Sequence, residues 1–153
     1  MDILQALLTQ PRAFGGRGVN HEGETFDGVL TLQPLVGGAA IMLNYTATLP
    51  DGRLIHAEAT LLGRNPEGRL CLWPVMQELP AVIPHVEIPT PSSGVHRAAA
   101  TFSSGPREAI DAFREEIRIA LGYDGKLTYA HSWGLPHGTF EERSSCEMIA
   151  RGG

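Results

Sequence analysis

Lysine is almost missing from this chain: Lys126 stands alone against eleven arginines, and no basic run occurs. Nucleic-acid and anionic-membrane surfaces need such a run, so neither partner is expected. Charged residues of both signs reach only 19%, with a net charge of −5. Two cysteines, Cys71 and Cys146, are too few for a disulfide scaffold in a chain of 153 residues. No stretch approaches the roughly 20 apolar residues of a membrane helix. The N-terminus carries Asp2 where a signal peptide wants a cation, and its apolar run is short. The expected compartment is therefore cytoplasmic, and the sequon Asn44-Tyr45-Thr46 is read as chance. No internal repeat is visible, which argues against a propeller or solenoid.

What the chain has in quantity is turn chemistry, with 18 glycines and 11 prolines. Asp2 can cap a short helix over residues 3–9, stopped by Pro11. Beyond it, β-prone runs alternate with explicit turns such as Pro50-Asp51-Gly52, Asn65-Pro66-Glu67-Gly68 and Tyr123-Asp124-Gly125. The runs cover residues 14–21, 25–34, 40–48, 54–62, 69–76, 86–88, 95–102, 113–121, 127–133 and 140–150. Residues 104–121 also carry apolar side chains at helical spacing. The hairpin signal after them requires a strand, so a helical turn is expected at about 106–111 and a strand from Phe113. The stretch from Pro74 to Pro91 holds too many prolines for one central strand. It reads either as a loop over a barrel mouth or as a plain connection.

About ten hairpin-linked strands must bury one face and deal with two edges, which an up-and-down barrel does. The expected fold is thus all-β and antiparallel, one barrel domain over residues 1–153 with a short N-terminal helix.

Phe14-Gly15-Gly16-Arg17-Gly18 is similar to the first-strand motif of calycin barrels, with Phe14 where tryptophan is usual. The segments 124–134 and 140–144 look like the closing strands of bacterial lipocalin-like proteins of unassigned function. The chain as a whole resembles the calycin superfamily: lipocalins, fatty-acid-binding proteins and nitrobindin-like barrels. That resemblance implies an up-and-down barrel and an interior ligand site. Nitrobindin-like relatives hold haem through a histidine near the end of the chain, whereas here none follows His137. Haem would have to use His131 or His137, and no cofactor is expected.

Strand parity indicates which residues share an interior. Leu127, Tyr129, His131 and Trp133 form one aromatic-rich face, and Ile41, Leu43, Tyr45 and Ala47 another. On the run 54–62, His56 and Glu58 share a face with Leu54, Thr60 and Leu62, and hydrophobicity alone leaves either face free to point inward. On the last strand Phe140, Glu142, Ser144, Cys146 and Met148 are expected inside. The candidate binding residues are Tyr45, His56, Glu58, Trp73, Tyr129, His131, Trp133 and Glu142.

A packed core would not choose acids and histidines, because each buried charge must be paired, whereas a cavity uses a few polar groups to orient an apolar ligand. Binding of a small, mostly apolar molecule is the leading expectation, with a homodimer as the one protein partner considered. The alternative is an enzyme in which His131 works with Glu58 or Glu142 in proton transfer. Six scattered histidines form no H-x-H or H-x-x-x-H pair, so no metal site is expected.

Overall fold

A computed structural model describes residues 1–91 and 94–152. The chain opens with helix α1 (Ile3–Leu8), and Asp2 caps it reciprocally with Gln5. Ten strands follow: β1 (Ala13–Asn20), β2 (Thr25–Leu35), β3 (Ala40–Thr48), β4 (Leu54–Arg64), β5 (Leu70–Met76), β6 (His85–Ile88), β7 (His96–Ser103), β8 (Arg114–Gly122), β9 (Leu127–Gly134) and β10 (Glu141–Ala150). Each strand pairs antiparallel with its sequence neighbours, and β1 pairs with β10 to close the barrel. The all-β, up-and-down barrel expected from the turn spacing is therefore the observed fold. No helix among the described residues is long and apolar enough to cross a membrane.

Alternation fills the interior. Leu30, Ile41, Leu43, Leu62, Leu72, Phe102, Ile117, Ile119, Leu127 and Met148 are all essentially fully buried. Helix α1 sits at the end where β3 begins and β8 finishes, with Ile3, Leu4, Ala6 and Leu7 buried against the barrel. Burying each large side chain of that plug stabilises by roughly 1.5–3 kcal/mol. The closing seam needs glycine: a Cβ at Gly16 would overlap the Glu147 carbonyl of β10.

One boundary shifts, and the proline-rich stretch is interrupted as expected. Residues 106–112 make successive hydrogen-bonded turns, and the strand begins at Arg114, one residue late. In the proline-rich stretch, Pro74 lies within β5 and β6 is only 4 residues long.

Two register shifts decide the site. On β4 the pairing moves from Ala47↔His56 to Thr48↔Leu54, leaving Ile55 as the extra residue. Leu54 is thereby turned out into solvent, while His56 keeps the inward face of Glu58, Thr60 and Leu62. On β10 the pairing moves from Glu142↔Ser132 to Ser144↔His131, leaving Arg143 as the extra residue.

Candidate functional site

The barrel is plugged by α1 at one end and open at the other, where the β1–β2 and β3–β4 turns lie beside the ends of β5 and β9. A cavity of about 520 Å³ opens there. Its walls carry Phe26, Ile55, Met76, Phe113 and Trp133, and its deep end carries Tyr45, His56, His131 and Ser144. Four glutamates (Glu22, Glu24, Glu78 and Glu115) and two arginines (Arg53 and Arg143) also line it.

Glu58 is the hub of the polar floor, its side chain fully buried. One carboxylate oxygen, Oε1, accepts from His56 Nε2 at 2.9 Å and from His131 Nε2 at 2.8 Å. The other, Oε2, accepts from the Tyr129 hydroxyl at 2.8 Å and from the Thr60 hydroxyl. His56 reaches Glu78 through Nδ1 at 2.9 Å, and His131 Nδ1 lies 3.4 Å from Ser144 Oγ. The cluster spans the barrel: His56, Glu58 and Thr60 come from β4, while Tyr129 and His131 come from β9, which is not its neighbour.

Burial alone would push the Glu58 carboxyl up. The charge and hydrogen bonds of His131, then of His56, outweigh it and hold Glu58 well below the usual carboxylate range. Burial opposes protonation of His56, but Glu58 and then Glu78 raise it to about 9. His56 is therefore a cation at neutral pH, donating from both ring nitrogens. Burial, followed by the Glu58 charge, raises the Tyr129 hydroxyl and keeps it a neutral donor. Burial also raises Tyr45, whose hydroxyl faces Cys146 and has no nitrogen or oxygen partner. Its ring lies 4.8 Å from that of Tyr129 and 6.1 Å from that of His131.

Of the eight residues singled out by sequence, Tyr45, His56, Glu58, Tyr129 and His131 converge on this floor, and Trp133 stands in the wall above it. The Trp133 ring has the Arg143 guanidinium 4.4 Å from its centre and meets the His21 ring edge-on, with centroids 5.7 Å apart.

Two of the eight lie elsewhere and need correction. Trp73 pairs with Leu61 and alternates with the inward Leu72 and Pro74, so it sits on the outer face. Glu142 is exposed opposite Ser132, because the extra residue at Arg143 breaks the alternation expected for the last strand. The bulge brings Arg143 to the cavity and leaves Ser144 beside His131, while Glu142 points away from it.

Parity placed Ser144 inside, but the sequence did not mark Glu78, Thr60, Arg143 or the buried pair His85–Glu115, whose side chains meet at 2.8 Å, as site residues. Thr60 follows from the parity of Glu58. Glu78 lies in a loop with no periodicity, and the β10 bulge has no local signal.

Haem does not fit these residues. An axial histidine must aim a ring nitrogen into open space over the porphyrin. His56 and His131 both aim Nε2 at buried Glu58, and His137 lies on an exposed turn beside Asp111.

No protein-family profile matches the chain, and no curated protein is significantly similar in sequence. Among solved structures, the crystal structure of Rv2717c from M. tuberculosis is similar, with a TM-score of 0.68 over 97% of each chain at 15% identity. At that identity the likeness establishes the barrel fold.

Proposed function

We propose that this protein is a calycin-type binding barrel that takes a small, predominantly apolar molecule with one polar end. The observation that carries the reading is the open-ended cavity of about 520 Å³ whose walls are largely apolar and whose floor is the Glu58 cluster. That volume lies within the roughly 300–1,000 Å³ typical of small-molecule sites. Phe26, Met76, Phe113 and Trp133 offer contact area to the apolar body. His131 Nδ1 and Ser144 Oγ offer hydrogen-bonding atoms to the polar end.

The two tryptophans make the test direct. In a Trp73→Phe background, Trp133 is the sole indole and reports on the cavity. Titration with anilinonaphthalene sulfonate is expected to give saturable, one-to-one quenching of Trp133, displaced by medium-chain fatty alcohols. Non-saturable quenching, or quenching that no apolar competitor displaces, refutes the proposal.

A second reading rests on the 2.8 Å contact between His131 Nε2 and Glu58. A carboxylate that orients an imidazole leaves the other ring nitrogen on the cavity side, where it can exchange a proton with a bound molecule. The reading requires a turnover that His131→Gln abolishes while the Trp133 titration is unchanged. Equal turnover in wild type and variant rules it out.

A further inference from the structure

The Glu58 carboxylate gathers two donors on each of its oxygens. Two imidazole nitrogens from opposite sides of the barrel point at the same carboxylate oxygen, and the three atoms lie within 4.8 Å of one another. Ligand atoms around one transition-metal ion, bound at about 2.0–2.1 Å, stand about 3.0–3.4 Å apart. The contacts of 2.8 and 2.9 Å from the two Nε2 atoms to Glu58 Oε1 nearly match that spacing. We infer that His56, Glu58 and His131 form a two-histidine, one-carboxylate site for a divalent first-row transition-metal ion at the floor of the cavity. The ion displaces the two Nε2 protons that now point at Glu58 and releases them to solvent.

Three further features support this assignment. Glu58 Oε2 is held by the Tyr129 and Thr60 hydroxyls, which fixes the carboxylate and leaves Oε1 as a single ligand atom. Each histidine turns Nε2 inward and keeps Nδ1 for an outer partner, Glu78 at 2.9 Å for His56 and Ser144 at 3.4 Å for His131. Metal-bound histidines are oriented by such outer partners, a carboxylate among the commonest. The cavity lining also carries four glutamates to two arginines, with Glu78 held by His56 and Glu115 by His85. One of those arginines, Arg143, is already paired with Glu141 at 3.0 Å and stacked on Trp133.

Ligand chemistry selects the class of ion. Two imidazoles and one carboxylate suit zinc, iron, cobalt or nickel, whereas magnesium and calcium prefer all-oxygen sites. His56 and His131 line the cavity while Glu58 lies beneath them, so the unfilled coordination positions face the cavity. The ligands come from β4 and β9, so an ion there would tie opposite walls of the barrel together.

The inference stands on this geometry whether or not an organic molecule enters the cavity. The full chain, stripped with chelator and dialysed against Zn²⁺, is expected to retain one ion per chain by elemental analysis and to melt at a higher temperature. Co²⁺ in its place is expected to give visible absorption bands, and Mg²⁺ to leave the melting temperature unchanged. Glu78→Gln, which weakens the hold on His56 and removes one negative charge from the cavity lining, is expected to weaken Zn²⁺ binding by roughly 10–100-fold. His131→Gln and His56→Gln are expected to abolish stoichiometric retention, and His137→Ala to preserve it. His56 is partly exposed, so its variant carries the test even if His131→Gln fails to fold. Less than one Zn²⁺ per wild-type chain, or retention unchanged in His56→Gln, overturns the inference. Loss of metal binding with the Trp133 titration intact would overturn this site alone, and retained Zn²⁺ without a Trp133 response would overturn the ligand reading alone.

Discussion

Removing the Glu58 carboxylate should cost more than any other single change at the cavity floor. Glu58→Ala leaves the Tyr129 hydroxyl, the Thr60 hydroxyl and His131 Nε2 without their acceptor, all of them buried. Each buried donor left unpaired costs about 1–3 kcal/mol. Water entering the vacated volume would recover part of this, and His56, with 18% of its side chain exposed, would recover more. The expected loss is about 3–5 kcal/mol, the range for breaking a buried charge pair. In a domain of this size that corresponds to a fall in melting temperature of roughly 6–20 °C. Glu58→Gln should cost less, about 1–2 kcal/mol. Its amide oxygen can still accept from both imidazoles, and its amide nitrogen can donate to the two hydroxyl oxygens. The assay is urea unfolding followed by tryptophan fluorescence, with chelator present so that only the protein's own interactions are compared. An Ala variant within 1 kcal/mol of wild type, or a Gln variant less stable than the Ala variant, refutes the reasoning.

Two further substitutions test the architecture by thermal unfolding. Gly16→Ala forces a methyl group onto the Glu147 backbone at the seam between β1 and β10, and should destabilise by about 1–3 kcal/mol; an unchanged melting temperature would contradict that closure. Glu142→Ala should change stability by less than about 0.5 kcal/mol and leave the Trp133 titration unaltered, because the β10 bulge turns that side chain into solvent. A loss of probe affinity would instead place Glu142 in the cavity.

Several features of this protein were set by short-range chemistry and could be read directly from the residues. Asp2 and Gln5 are three apart, the spacing of a reciprocal helix cap, and α1 begins there. Turn dipeptides such as Asp51-Gly52 and Asp124-Gly125 place glycine where the backbone needs positive φ, so hairpin positions and strand count followed. Unbroken alternation also held on β3 and β9, which is why Tyr45, Tyr129 and His131 were placed on inward faces.

The site itself depended on closure of the barrel. His56 and His131 are 75 residues apart, and nothing local relates them; they meet because β4 and β9 face each other across the interior. A search for closely spaced histidines could not find such a pair. Bulges at Ile55 and Arg143 each shift alternation by one residue, which turned Leu54 and Glu142 outward and brought Arg143 to the cavity. Trp73 was counted with the interior residues, but on β5 it alternates with the inward Leu72 and Pro74 and so faces outward. Periodicity along a strand arises from the chain's own stereochemistry and is written residue by residue. Register, bulges and contacts across a barrel arise from the requirement that ten strands close without a gap, which only the assembled structure satisfies.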